Sequence, residues 1–367
     1  MPASRSFPVE TRRAASATTT APSRVNSAVS PKDLVHVRRA LLRWYDEHRR
    51  DLPWRETRDP YRIWLSEIML QQTRVAAVLE HYRIFLERFP NVQALAAASE
   101  DAVLGAWSGL GYYRRARMLR QAAQQIAKQH DGRFPQSSDA LLALPGIGRY
   151  TAAAIASIAF AEPVAVVDGN VERVFERFIG IHLATPQIWQ QAQALLANSR
   201  PGDFNQAMME LGATVCAPRE PRCPMCPVRK WCVTQRSTER RASPPVRATN
   251  RSRQVKKEIW CELTQRDGAI RLVQRPRKTS LMPGMWELPQ SSEPPRPVPA
   301  SADWRTFRHS ITVTDYTVHV VRRNSSRNTP LPDTSPALKG MWIAIDRLPQ
   351  TPITGLTRKI LKAGGII

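Results

Sequence analysis

Cys216, Cys223, Cys226 and Cys232 stand at the spacing C-x6-C-x2-C-x5-C, and this short loop restricts the chain more than any other feature. Four thiolates so close in sequence can surround one compact metal centre without ligands from elsewhere. Zinc more often pairs two C-x2-C knuckles across a longer insertion. A single knuckle flanked by gaps of six and five suits a cubane [4Fe–4S] cluster with four cysteine ligands. Spacing alone leaves both metals open. A disulfide framework is not expected in a chain of 367 residues with so few cysteines, so the loop points to a reducing compartment. The fifth cysteine, Cys261, falls in an apolar alternation and reads as a small buried hydrophobe.

Charge narrows the partner. Lys and Arg total 54 against 31 Asp and Glu, a net +23, which favours a polyanion and above all nucleic acid. Basic tails on an otherwise ordinary protein are the plainer reading. The 42% hydrophobic content supports packed cores, and no apolar run is long enough to cross a bilayer, so no membrane role is expected. The opening residues lack an apolar segment of the kind a secretory leader carries, although their Arg, Ser and Thr also suit an organelle transit peptide.

The fold expected is a multi-domain one: an all-α domain followed by a small α+β domain. Residues 1–30 read as a disordered basic tail. Over 31–235 apolar residues recur at three- and four-residue spacing, as in Leu34, Val37, Leu41 and in Val75, Val78, Tyr82, Phe85. A basic linker with Pro244–Pro245 covers 236–258. Beyond it, over 259–367, Glu258–Gln265 alternates, the Asp267–Gly268 pair turns the chain, and Ile270 and Leu272 alternate again as a hairpin. Thr312–Val321 and Met341–Ile345 read as further strands and Leu356–Leu361 as a closing helix.

Three local patterns carry chemistry. In Leu144-Pro145-Gly146-Ile147-Gly148-Arg149-Tyr150-Thr151-Ala152, two glycines frame one apolar residue ahead of an Ala-rich helix. Such a turn exposes consecutive N–H groups at a helix N-terminus and can bind phosphate without reading sequence. An ordinary helix–helix turn fits equally. Asp168 follows the apolar run Val164–Val167 and precedes a new helix over Val171–Phe178, where its simplest role is an N-cap. Glu67 lies in Ile63-Trp64-Leu65-Ser66-Glu67-Ile68-Met69-Leu70, where its neighbours call for burial. A carboxyl in apolar surroundings takes up its proton more readily and can act as a general acid, while an exposed helical stripe is the alternative.

Taken together and in order, these elements resemble the MutY-type adenine DNA glycosylases, within the helix-hairpin-helix glycosylase superfamily. The resemblance is carried by Leu52-Pro53-Trp54-Arg55, Asp59-Pro60-Tyr61, Trp64 through Thr73, Gly109-Leu110-Gly111-Tyr112-Tyr113, the hairpin at 144–152, Val167-Asp168-Gly169-Asn170, Phe204-Asn205-Gln206-Ala207-Met208-Met209 and the cysteine loop at 216–232. It covers 33–235 nearly continuously. It implies removal of adenine mispaired with 8-oxoguanine or guanine in double-stranded DNA, by base flipping and acid-assisted hydrolysis of the N-glycosidic bond. By position, Glu67 resembles the acid and Asp168 the carboxylate that stabilises the oxocarbenium-like sugar, a division of labour known for glycoside hydrolysis. Tyr150 and Asn170 match supporting positions, Arg55 and Gln206 the adenine pocket, and Gln72 and Tyr112 the residues that wedge into the stack. Gly146 and Gly148 match the DNA-binding hairpin. The four cysteines match the ligands of a [4Fe–4S] cluster.

The C-terminal segment resembles that family's Nudix-like domain, most clearly in Leu281 through Pro289, without a glutamate-rich catalytic box. The family's Phe-Ser-His element stands here as Ile311-Thr312-Val313, so Thr312 keeps a hydroxyl while the aromatic and the histidine are absent. That departure implies a modest preference for 8-oxoguanine over guanine. The protein is expected to be a monomer in the bacterial cytoplasm, associated with the nucleoid. An endonuclease III-like glycosylase and lyase would need a lysine just after the hairpin, where Tyr150 stands. A non-catalytic iron–sulfur DNA-binding protein would explain the charge, the hairpin and the cysteines, but not Glu67 together with Asp168.

Overall fold

The computed structural model describes residues 30–236, 254–294, 304–324 and 340–367. The N-terminal tail and most of the basic linker expected from the sequence lie outside these residues.

Helices fill the first part, and their starts follow local chemistry. Ser30 caps α1 (Pro31–His48), accepting from the Asp33 amide, with Pro31 at the first helical position where its missing N–H costs nothing. Asp59 does the same for α2 (Pro60–Leu70) through the Tyr61 amide. Then come α3 (Val75–Arg88), α4 (Val92–Ala97), α5 (Glu100–Trp107), α6 (Arg114–Gln129), α7 (Ser138–Leu141) and α8 (Arg149–Phe160). They are followed by α9 (Gly169–Ile179), α10 (Thr185–Leu195), α11 (Pro201–Thr214) and the short α12 (Val233–Arg236). The helix expected at Val171–Phe178 is α9, begun two residues earlier because Asp168 caps it.

Two apolar cores form. One is built from α2 to α6 and α8 around Trp64, Phe85 and Trp107; the other joins α1, α9, α10 and α11 to Trp231 of the cysteine loop. Each fully buried side chain of this size contributes about 1.5–3 kcal/mol relative to exposure. Helix α2 is buried nearly all round, Glu67 included, which its apolar neighbours require. It packs on the Ala-rich α8, whose small side chains allow close approach. Val167 and Met209 touch both cores and mark the seam between them.

The second part is a twisted sheet in the order β3-β2-β1-β6-β5, with β4 pairing β1 and β7 pairing β2. Its strands are β1 (Val255–Arg266), β2 (Ala269–Gln274), β3 (Trp286–Glu287), β4 (Gln290–Ser291), β5 (Trp304–Ile311), β6 (Thr314–Asn324) and β7 (Gly340–Ala344). Strand β1 runs parallel to β6 and antiparallel to β2, and α13 (Gly355–Ala363) covers one face. The hairpin at Asp267–Gly268 forms as expected. One-sided burial of β1 does not hold, because Glu262 and Thr264 are buried as well as Cys261 and Leu263 in this central strand. The strand expected at Thr312–Val321 is β6, begun only at Thr314 because Thr312–Val313 turn the chain back from β5, a strand the sequence did not suggest. Thr312 takes a φ of 54° there, a left-handed conformation that β-branched residues rarely adopt, so residue type hides the turn.

The sheet is seated on the helices. The Ser108 hydroxyl donates to the Ile353 carbonyl at 2.9 Å and accepts from Arg358 Nε at 2.8 Å. Met285 is buried in the first helical core. Gly105 permits the contact: a Cβ there would stand 2.6 Å from the Gln350 carbonyl oxygen.

Candidate active site

Glu67 and Tyr150 meet where α2 crosses α8. The Tyr150 hydroxyl donates to Glu67 Oε2 at 2.8 Å and lies 3.3 Å from the Met209 sulfur of α11. Glu67 is only 7% exposed. Burial pushes its carboxyl up to about 7; the Tyr150 hydrogen bond opposes this, the charge of Asp168 adds to it, and Arg55 subtracts from it. Burial and the neighbouring carboxylates hold the Tyr150 phenol well above its ordinary value, so it stays a donor.

Asp168 reaches the seam from the other core. Its Oδ1 accepts from the amides of Asn170 and Val171 at 2.9 and 2.8 Å, and its Oδ2 accepts from Asn170 Nδ2 at 3.1 Å. The N-cap reading and the chemical one are thus compatible: capping fixes the direction in which the carboxylate points. Asn170 is oriented in turn, since its Oδ1 accepts from Arg173 Nη2 at 2.9 Å. Arg173 also donates to the Gly212 carbonyl and, through Nε, to the Cys216 carbonyl at 2.9 Å, linking the cysteine loop to the Asn170–Asp168 pair. Gly212 is required by this crossing, because an added Cβ would lie 2.6 Å from Asn170 Cβ.

Arg55 is held rather than free. Its Nη2 donates to Glu210 Oε2 at 2.7 Å and its Nη1 to the Arg50 carbonyl at 3.1 Å. Arg50 grips the same carboxylate with Nε and Nη2, both at 2.7 Å. The burial of Glu210 would raise its pKa, but hydrogen bonds from Arg50 and Arg55 bring it down to about 2. Arg55 and Gln206 share a polar cavity of about 460 Å³, and Glu67 is not among the residues lining it.

Gln72, Tyr112, Gly146 and Thr312 come together elsewhere, along a largely apolar cleft of about 890 Å³ between the helices and the sheet. Gln72 and Tyr112 have φ of 56° and 47°. Left-handed non-glycine residues cost about 1–3 kcal/mol each and persist where the surroundings hold them. Tyr112 is 56% exposed, unusual for so large a ring and suited to contact with a partner. The Thr312 hydroxyl donates to the Ile311 carbonyl at 2.8 Å, leaving its lone pairs available as acceptors. In the hairpin Gly146 is obligatory, with φ of 76° and Met118 Cβ 2.6 Å from any added Cβ. Gly148 has open space around it and serves as the N-cap of α8, whose first amides have no side-chain cap.

Cys216 follows α11, Cys223 and Cys226 flank a 3-10 turn, and Cys232 follows another. Cys216, Cys226 and Cys232 pack on the second core, and burial pushes the Cys226 thiol up to about 12, with all three other cysteines adding to the shift. Among the described residues no three His, Cys, Asp or Glu side chains converge as tightly as a single metal ion requires.

The sequence reading missed Glu210, Arg50, Arg173 and the contact of Met209 with Tyr150. Glu210 had no local signal, since the same helix also carries Asp203, Asn205 and Gln206. The others are among the chain's 54 basic residues or lie in an apolar run, where nothing marks them.

A helical domain of this order, with a capped aspartate and a buried glutamate at the seam of two cores, defines a class. Residues 65–197 match the HhH-GPD superfamily base excision DNA repair protein family. A solved thermostable thymine-DNA glycosylase aligns at 31% identity with a TM-score of 0.53, over 56% of this chain and 97% of that one. The chain belongs to the HhH-GPD superfamily of base excision DNA repair proteins. Within it, the likeness is to adenine DNA glycosylases. The Homo sapiens adenine DNA glycosylase is 46% identical over 217 residues, 55% of this chain and 40% of that protein. The Arabidopsis thaliana adenine DNA glycosylase is 37% identical over 311 residues, 72% of this chain and 49% of that protein. The chain thus spans less than half the length of these two relatives. A trapped endonuclease III–DNA intermediate shares the fold at 21% identity and a TM-score of 0.50. No helix among the described residues is long and apolar enough to cross a membrane.

Proposed function

We propose that this chain removes adenine mispaired with 8-oxoguanine or guanine from double-stranded DNA, as a monofunctional glycosylase acting as a monomer. The observation that carries this reading is the buried Glu67, receiving a hydrogen bond from Tyr150 and lying within the field of Asp168. With Oε2 occupied by Tyr150, the proton of Glu67 sits on Oε1, free to pass to N7 of a flipped adenine. The base then leaves neutral, and the charge of Asp168 stabilises the oxocarbenium-like sugar until water adds at C1′ and its spare proton returns to the Glu67 carboxylate. Arg55 and Gln206 meet the flipped adenine from the adjoining polar cavity, the charge of Arg55 already reaching Glu67; Gln72 and Tyr112 wedge into the stack, and the Gly146–Gly148 turn with the α8 N-terminus holds a phosphate.

On this reading residues 31–235 form the glycosylase unit and 259–367 a Nudix-like lesion reader presenting Thr312, the linker expected over 236–258 giving way to β1 at Val255. The four cysteines fit a [4Fe–4S] cluster: all are thiols, the other three all act on Cys226, and a cubane separates its ligand sulfurs more than a single ion does. Bound there, the cluster would fix the loop and its flanking Arg219, Arg222, Arg229 and Lys230 for contact with the DNA backbone. Metal analysis of anaerobically prepared protein should find about four irons per chain; stoichiometric zinc would exclude the cluster. A bacterial cytoplasmic, nucleoid-associated setting accords with this chemistry.

Incision of duplexes after alkali treatment tests the function. Strand breaks should appear where A lies opposite 8-oxoguanine, more weakly opposite G, and not at oxidised pyrimidines. Borohydride should trap little covalent complex, because Tyr150 stands where a lyase needs lysine. Cleavage at oxidised pyrimidines with efficient trapping would favour the endonuclease III-like alternative.

A further inference from the structure

The two strained turns that line the cleft, at Gln72 and Tyr112, are tied to one partly buried side chain. Arg115, in the first turn of α6, sends Nη1 to the carbonyls of Ile68, Met69 and Gln71, at 2.7, 3.0 and 2.5 Å. These are among the last carbonyls of α2, which lack partners within their own helix. Its Nη2 reaches Thr73 Oγ1 at 3.2 Å and the Leu110 and Gly111 carbonyls at 3.3 and 3.4 Å. The guanidinium also lies 5.4 Å from the Trp107 ring centre and 5.5 Å from that of Tyr112. One side chain therefore brackets Gln72 between Gln71 and Thr73, fixes the peptide before Tyr112, and caps the helix that carries Glu67.

We infer that Arg115 is a positioning residue that locks the Gln72 and Tyr112 turns and the end of α2 into one unit, so that wedging into a duplex and presenting Glu67 to the extruded base occur in a fixed relation. The inference rests on the base-extrusion reading above. The planar fork explains why arginine stands here. Lysine brings the same charge as a single point with three donors, too few for this set of acceptors and without the flat face that meets both rings.

The test uses a duplex with 2-aminopurine opposite 8-oxoguanine, whose fluorescence rises as the base leaves the stack, read beside single-turnover excision of adenine. Arg115→Lys should lower the fluorescence response and the excision rate together by about ten- to a hundredfold. The pH midpoint of the remaining excision should stay that of the wild type, because Glu67 itself is untouched. Since Arg115 acts through both wedge residues, adding Arg115→Lys to Gln72→Ala with Tyr112→Ala should leave excision within about threefold of that wedge-less variant. Thr73→Val, which removes a single acceptor, should show a several-fold loss with the same lack of additivity, and it answers the question should Arg115→Lys not fold. Multiplicative losses in the combined variants, or a shifted pH midpoint, would overturn the inference while leaving the proposed function intact. A wild-type protein that leaves the probe dark would instead remove base extrusion, and the inference with it.

Discussion

Replacing Glu67 with glutamine should abolish adenine excision by two to four orders of magnitude or more while binding to the mispaired duplex stays within a few-fold of wild type. Glutamine keeps the shape of the side chain and can still accept from Tyr150, so the seam between α2 and α8 stays filled. What it lacks is a transferable proton, and a positioned general acid contributes roughly 10²–10⁴ to such a step. The field of Asp168 remains in the variant, so the residual rate measures what the rest of the site supplies. Single-turnover excision and a gel-shift titration on the same duplex separate the two effects. Near-normal excision by Glu67→Gln would remove the acid assignment.

Glu210→Ala should be the most destabilising single change near the site. The carboxylate is buried, and the Arg55 side chain facing it is only 9% exposed. Removing one member of a buried ion pair leaves an uncompensated charge and typically costs about 3–5 kcal/mol. The second guanidinium, Arg50, is partly solvated and can relax toward water, so the loss comes chiefly from Arg55. A urea midpoint shift at constant slope reads the stability directly. Excision should fall at least about tenfold in the variant under conditions where it remains folded, because Arg55 is then free to leave the floor of the cavity it shares with Gln206. A change below about 1 kcal/mol would mean that the pair is stabilised in some other way.

The parts of this account that were legible in the sequence share a physical cause: they are set by neighbours close along the chain. Glu67 was visible because Ile63, Trp64, Leu65, Ile68 and Met69 leave it nowhere to go but inside. Asp168 was visible as a cap, and capping is what aims it. Gly146 was legible from the turn it must make. Contacts between distant segments were not. Arg115 stands among Arg114, Arg117 and Arg120, and nothing local shows that it alone turns inward to the end of α2. Glu210 looks like an acid on the outer stripe of α11 until Arg50 and Arg55 arrive from 155 to 160 residues away. The turn at Thr312 was concealed by its β-branched neighbours Ile311 and Val313, which favour strand.

The most direct measurement is the pH dependence of single-turnover adenine excision from an A:8-oxoguanine duplex, for the wild type beside Glu67→Gln, between about pH 5 and 9. As the proposed acid, Glu67 would act only while protonated, and burial moves its titration from 4.5 to about 7. The wild-type rate should therefore be level at the acid end, bend near pH 7, and fall about tenfold per unit above it, while the residual rate of Glu67→Gln shows no such bend. A wild-type rate that stays level to pH 9, or a bend near pH 7 that survives in Glu67→Gln, would contradict the claim that this buried glutamate supplies the proton.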